Sequence, residues 1–447
     1  MGGFNPTMKF SAIAATLLFL PITLHADWNR FRGPNGTGIA EGKVPVKWSA
    51  QEHMAWKAPL PGPGTSSPII VGDKVFVTCW SGYGDGSGGG MEKLVRHLVC
   101  LGKADGKTLW DSVVPAAQPE DAFEGMITEH GYASNTPVSD GEGVYVFFGK
   151  SGAVGFDMNG KQLWQTSLGT HSNDRHWGSA ASPMLYKELL VVNALDEGGA
   201  VVALNKRTGK EAWRAPAEGL QLAYSTPAMV EHDGLQDLVI AVPKELWGLN
   251  PDTGKLRWFA DHDLTGNVSP GVVLGEGKAF VFGGFPKQGS AAIKFGGRND
   301  VTKTNLVWQS NTSTYVPTPI YFEGHLYVIN DQGFALCIDA ATGKEVYRER
   351  VMEGAGGGRP GGPGGSGGGQ QRRGGGKPFY ASPVLVDGKL YCPSRKNGTF
   401  VIAAKPKYEL LARNIIEGDE AQFNATPAVD GNRLYLRSER TLYCIGE

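Results

Sequence analysis

The side chains of this chain best suited to chemistry stand in two stretches rich in polar residues. His130, His171 and His176 occur there with Trp177, and Glu124, Glu129 and Asp174 lie close by in sequence. Imidazole and carboxylate together suit a transition metal or a bound Ca²⁺. No tight ligand spacing links them, so loop side chains that hold their own loops together are the plainer reading, and the identity of any metal stays open. Asp261-His262-Asp263 is a weaker case of the same kind. A second constellation has a better rationale. Eight prolines, Pro68, Pro137, Pro183, Pro227, Pro270, Pro319, Pro383 and Pro427, each follow a small or hydroxyl residue and precede an apolar run. Three positions before them stand Thr65, Ser134, Ala180, Tyr224, Asn267, Val316, Tyr380 and Asn424. Brought into a ring, these would bind a polar planar molecule by stacking and hydrogen bonding, or hold ordered water.

A ring is what the repeats of this sequence predict. Ala203-Leu-Asn-Lys-Arg-Thr-Gly-Lys-Glu-Ala-Trp213 returns as Gly248-Leu-Asn-Pro-Asp-Thr-Gly-Lys-Leu-Arg-Trp258, as Cys337-Ile-Asp-Ala-Ala-Thr-Gly-Lys-Glu-Val-Tyr347 and as Cys100-Leu-Gly-Lys-Ala-Asp-Gly-Lys-Thr-Leu-Trp110, with a shortened copy from Phe156 to Trp164. Each reads as a strand end, a tight turn whose Gly supplies positive φ, and a second strand with an aromatic at a fixed offset. The prolines recur at roughly the 40–50 residues of a four-stranded propeller blade. The expected fold is therefore all-β: an eight-bladed β-propeller of four-stranded antiparallel blades. Blade 5 keeps Trp308 without the Thr-Gly turn, and blade 7 has Leu410-Leu411 in place of the aromatic. The last blade lacks an outer strand, whereas His53-Met-Ala-Trp56-Lys-Ala58 looks like an outer strand without a blade. Pairing the two would close the ring and remove an open edge.

The repeat resembles the tryptophan-docking motif of the pyrroloquinoline-quinone-like propellers, the superfamily of quinoprotein alcohol dehydrogenases and of the propeller lipoprotein of outer-membrane barrel assembly. Asp27-Trp-Asn-Arg-Phe-Arg-Gly-Pro-Asn-Gly36 and Phe423-Asn-Ala-Thr-Pro427 resemble an exported bacterial branch of that superfamily. The resemblance implies structural docking roles for Trp56, Trp110, Trp164, Trp213, Trp258 and Trp308. For an enzyme of the superfamily it implies pyrroloquinoline quinone, a Ca²⁺ held by Glu, Asn and Asp, an Asp base, a stacking Trp and usually a vicinal disulfide. No Cys-Cys pair exists here, and no stretch matches the Asp base with its Ca²⁺ ligands. The favoured function is an exported, non-catalytic binding or scaffold module acting through one elaborated face and the axial funnel. The alternative is a quinone-dependent dehydrogenase of alcohols or sugars.

The elaborated face follows from where the insertions fall. Trp80 to Arg96 joins the second and third strands of a blade, and Pro115 to Tyr132, Gln165 to Gly178 and Glu353 to Lys377 join one blade to the next. All four belong on one face, while the opposite turns are expected to stay short. A partner, whether protein, glycan or small molecule, would sit on that face. The Gly-rich stretch 354–376, with Arg359, Arg372 and Arg373, lacks the phosphate-loop spacing and reads as a solvated linker. At the other end, Lys9, the apolar run Phe10 to Leu24 and the small residues before Asp27 have the order of a secretory signal over 1–26, with Met8 the expected initiator. Residues 27–52 form a lead-in and 53–447 the propeller. The chain is thus expected to be exported, periplasmic or secreted, without a lipid-anchoring Cys or a transmembrane span in its mature part, and monomeric. With 43 basic against 44 acidic residues, nothing favours nucleic acid as a partner. Of the 5 cysteines, Cys100, Cys337 and Cys444 fall at like positions and read as small buried hydrophobes.

Overall fold

The computed structural model describes residues 1–3, 27–351 and 377–446. Residues 4–26 of the expected signal stretch, Met8 included, and the Gly-rich insertion lie outside the described residues. Eight sheets follow one another along the chain, each with a four-stranded antiparallel core; two carry a fifth, parallel strand, and the last takes its outer strand from near the N-terminal end. Blade 3 shows the pattern: Met184–Tyr186, Leu189–Ala194, Ala200–Asn205 and Glu211–Pro216 pair in order from the axis outward. The strands alternate little between polar and apolar because both faces of each inner sheet pack on neighbouring blades. Leu190, Val191, Val192, Val201, Val202 and Ala203 are all fully buried. The ring is closed as the edge argument requires: Met54–Pro59 pairs antiparallel with Thr441–Ile445, with Trp56 opposite Cys444.

Five of the six tryptophans dock in one way. The indole N–H of Trp56, Trp110, Trp164, Trp213 and Trp308 donates to the carbonyl of Lys103, Met158, Lys206, Pro251 and Ala340 respectively, at 2.8–3.2 Å. Each acceptor belongs to the turn of the next blade. The ring plane then covers that turn's Gly, so closely that a Cβ on Gly254 would lie 2.4 Å from Trp213. Gly in the repeat therefore serves both positive φ and contact with the preceding blade.

Trp258 departs from this pattern. Blade 5 has no Thr-Gly turn to receive it; residues 295–305 make a longer excursion in which Asn299–Asp300 pairs parallel with the outer strand of blade 4, Asn299 opposite Trp258. The opposite turns are thus not all short. Enclosed by the excursion, Trp258 donates instead to Asp237 Oδ2 of its own blade at 2.6 Å.

The lead-in has a role that its composition did not disclose. Entering beside the first turn of blade 1, where Asp27 accepts from the Gly72 N–H, it crosses the axis and joins innermost strands on opposite sides of the ring. The Asn29 carbonyl accepts from the Ser139 N–H of blade 2, and the Asn29 side-chain Nδ2 donates to the Ser139 carbonyl, both at 2.9 Å. Arg32, buried, donates to the carbonyls of Thr318 and Pro319 at 2.9 and 2.8 Å. Ile39–Ala40 then adds a parallel strand inside blade 7, and Trp48 stacks on Tyr391 at 6.1 Å. Among the described residues no helix is long and apolar enough to cross a membrane, and all five cysteines are buried and unpaired.

Candidate functional site

Residues preceding the strand prolines converge on the axis. Six of the eight hydroxyls just before the prolines accept a hydrogen bond from the neighbouring blade: Ser67 N–H donates to Thr136 Oγ1, Thr136 N–H to Ser182 Oγ and Ser182 N–H to Thr226 Oγ1, at 3.0–3.3 Å, and Gly271 N–H donates to Thr318 Oγ1. On the other side of the ring Thr318 N–H donates to Ser382 Oγ and Ser382 N–H to Thr426 Oγ1. These bonds stitch innermost strands that are too far apart for a β-ladder. The sequence shows this hydroxyl at a repeated position, but reading it as a blade marker missed the relay.

Above the relay, Thr65, Ser134, Ala180, Tyr224, Asn267, Val316, Tyr380 and Asn424 all line one axial cavity of about 960 Å³ counted out to its mouth. Phe31 of the lead-in lines the same cavity, together with Tyr315, Met126 and Glu129. Neither Phe31 nor Tyr315 was singled out in the sequence. Tyr315 is offset by one position from the register that marks the ring, and Phe31 reaches the cavity only because the lead-in crosses the axis.

The insertion from Pro115 to Tyr132 lies over the mouth as a strap. His130 bridges from it: its Nε2 meets the Trp177 carbonyl at 2.7 Å and its Nδ1 meets Ser134 Oγ at 2.6 Å. Burial holds His130 below its ordinary value, so the neutral ring carries its proton on Nε2, toward the carbonyl, and Nδ1 accepts from the Ser134 hydroxyl. The Thr65 hydroxyl donates to the His130 carbonyl at 2.8 Å. Toward blades 8 and 7, Asn424 Nδ2 donates to the Glu129 carbonyl at 3.0 Å, and Arg395 of blade 7 pairs with the Glu129 carboxylate. Two amide oxygens, Asn267 Oδ1 and Asn424 Oδ1, are buried in this site without a partner.

His171 and His176 sit elsewhere. His176 Nδ1 is 3.0 Å from Asp121 Oδ1, which also accepts from Ser172 Oγ at 2.6 Å and Lys150 Nζ at 3.0 Å. Burial alone would raise Asp121, but the bonds from Ser172, His176 and Lys150 hold it below the usual carboxylate range. With the buried Arg96–Glu120 pair, this network fastens two insertions to blades 1 and 2. His171, Glu124 and Asp174 are exposed. His262 is buried and pushed down to about 4 by that burial, and does not line the cavity. Among the described residues, no three His, Cys, Asp or Glu side chains converge so as to hold a metal.

The fold and axial site define a class, the eight-bladed pyrroloquinoline-quinone-like propeller. The family model described as outer membrane protein assembly factor BamB matches residues 41–172 and 95–269, together more than half of the chain, which therefore belongs to that family. No curated protein matches the sequence. Among solved structures, BamB from Moraxella catarrhalis is similar with a TM-score of 0.57 and 11% identity, over 88% of this chain and 97% of that one. A europium-containing methanol dehydrogenase is similar with a TM-score of 0.61 and 11% identity, over 94% of this chain and 98% of that one. A computationally designed protein, Ika8, reaches 0.55 at 11% identity, over 88% of this chain and all of that one. At such identities the likeness is one of fold.

The cavity residues do not fit the quinone. Pyrroloquinoline quinone is a tricarboxylate, and among the described residues no Lys or Arg lines the cavity. Among the described residues, the one carboxylate that lines it, Glu129, is engaged by Arg395, and no Asp lines it to act as base or Ca²⁺ ligand. No catalytic step through that cofactor follows from these side chains.

Proposed function

We propose that this chain is an exported, non-catalytic binding propeller that takes a ligand in the axial cavity beneath the strap. One observation carries the reading: the cavity is walled by ring residues from all eight blades and holds two buried amide oxygens, on Asn267 and Asn424, that no protein donor satisfies. A buried acceptor without a partner costs roughly 1–3 kcal/mol, a cost that a bound molecule relieves. Membership of a family described as an assembly factor agrees with binding rather than turnover. Export accords with the signal-like order of residues 1–26 and places the site in the periplasm or outside the cell.

The test pairs two measurements on the full chain. Dye-linked oxidation of a panel of alcohols and sugars, with pyrroloquinoline quinone and Ca²⁺ supplied, is expected to give no turnover. Thermal-shift screening of neutral and charged small molecules is expected to find stabilising ligands whose effect is lost in Asn267→Leu. Quinone-dependent turnover would overturn the proposal, and so would stabilisation that is indifferent to Asn267.

A further inference from the structure

From the arrangement of donors, acceptors and charges, we infer that the axial cavity binds a neutral saccharide. The inference rests on the binding reading above and names the ligand class. Asn267 is 3% exposed, lines the cavity, and its Oδ1 has no partner. Asn424 is held in one orientation, because its Nδ2 donates to a carbonyl, which can only accept, and this leaves its unpartnered Oδ1 as a second acceptor. The ligand must therefore bring donors.

Those donors are not ammonium groups. Three of the aromatic rings lining the cavity already carry cations: Arg175 over Trp177 at 5.5 Å, Lys377 over Tyr315 at 3.3 Å and Arg395 over Tyr380 at 4.4 Å. Asp331 and Glu129 compensate Lys377 and Arg395. Below Phe31, Arg30 and Arg32 are desolvated against backbone carbonyls. A cationic ligand would find these three rings already engaged by protein cations.

A carboxylate ligand is also poorly matched. It brings only acceptors to two acceptors, and among the described residues no basic side chain lines the walls. Neutral hydroxyls satisfy both requirements, since each donates to an amide oxygen and accepts in turn. Acceptance is provided for as well: the relay hydroxyls of Thr136, Ser182 and Thr426 receive backbone N–H bonds on their lone pairs, which leaves each O–H to be donated. A ring of hydroxyls with apolar C–H faces against Tyr, Trp and Phe is the surface of a sugar.

The experiment is calorimetric titration of the full chain with neutral gluco-, galacto- and N-acetylglucosamine oligosaccharides of one to four units. Glucuronate, putrescine and pyrroloquinoline quinone are titrated in parallel. At least one neutral sugar is expected to bind, with affinity reduced tenfold or more in Asn267→Leu and in the half-buried Asn424→Ala, which is the second variant should the first fail to fold. Preferred binding of glucuronate or putrescine, or of no sugar at all, overturns the saccharide assignment. If a non-sugar ligand is then found whose binding is lost in Asn267→Leu, the binding propeller stands with a different ligand class; quinone-dependent turnover overturns the propeller reading itself.

Discussion

Arg395, on a loop of blade 7, holds the carboxylate of Glu129, on the strap between blades 1 and 2, at 2.5 Å across the mouth of the axial cavity. With the Asn424 bond to the Glu129 carbonyl, it fastens the strap to blades 7 and 8, which follow one another round the ring to blade 1. The pair is partly screened, with Glu129 36% exposed, so its worth is about 1 kcal/mol. Arg395→Met is expected to leave the blades folded and to raise hydrogen exchange of residues 124–132 by about fivefold, the equivalent of that energy. Unchanged exchange there would show that the other strap contacts suffice.

Trp258 and Asp237 form the one docking pair that stays within a blade. Asp237, fully buried, accepts from Trp258, His232 and Arg257. Asp237→Ala strips three donors of their acceptor and is expected to cost about 3–5 kcal/mol in denaturant unfolding. Burial raises the carboxyl, but the three bonds win and hold its folded pKa below 3.8. Its stabilisation is therefore present above 3.8 and lost as pH falls through the lower folded value. Asp237→Asn should lose that acid dependence.

Glu197 has the opposite sign. Burial, with Asp196 beside it, raises its carboxyl from 4.5 to about 8. The stabilisation of the protonated form is fully present below 4.5 and lost as pH rises through about 8, on the order of a few kcal/mol. Urea unfolding across that window should show falling stability for the natural chain and a flatter profile for Glu197→Gln. Parallel profiles would mean that Glu197 is ionised when folded.

Two glycines of similar backbone separate conformational strain from docking. Gly72 has φ +57 and open space around it, while Gly254 has φ +70 and the Trp213 ring 2.4 Å from a built Cβ. Gly72→Ala should cost about 1 kcal/mol, from left-handed strain alone. Gly254→Ala should cost roughly 2–4 kcal/mol, because the ring must also move. Equal costs by thermal unfolding would deny Trp213 its structural role.

Much of the fold was legible because its determinants are local. A Gly turn between two apolar strands and an aromatic at fixed offset specify a hairpin within a dozen or so residues, and their recurrence specifies blades. Even the closing strand could be read, since an unpaired outer strand at one end and a missing one at the other leave a single pairing. Trp258 could not be read in the same way. Its motif matches that of Trp213, and the difference lies in residues 295–305, which remove the turn it would have met.

The sequence by itself determined the repeat, the closure of the ring and the register that points Tyr224, Asn267, Tyr380 and Asn424 toward the axis, because these depend on period and turn chemistry. Only the tertiary structure decided what the axis holds. Phe31 reaches the cavity through bonds from its neighbours to strands of blades 2 and 6, and over the mouth His130 meets Trp177 and Glu129 meets Arg395, from loops with no common period. Of the two histidines that the sequence set beside His130, His176 is drawn away to the buried carboxylate of Asp121, and His171 stays exposed. Contacts between segments far apart in the chain leave no periodic trace, since each side satisfies its local geometry equally well without the other.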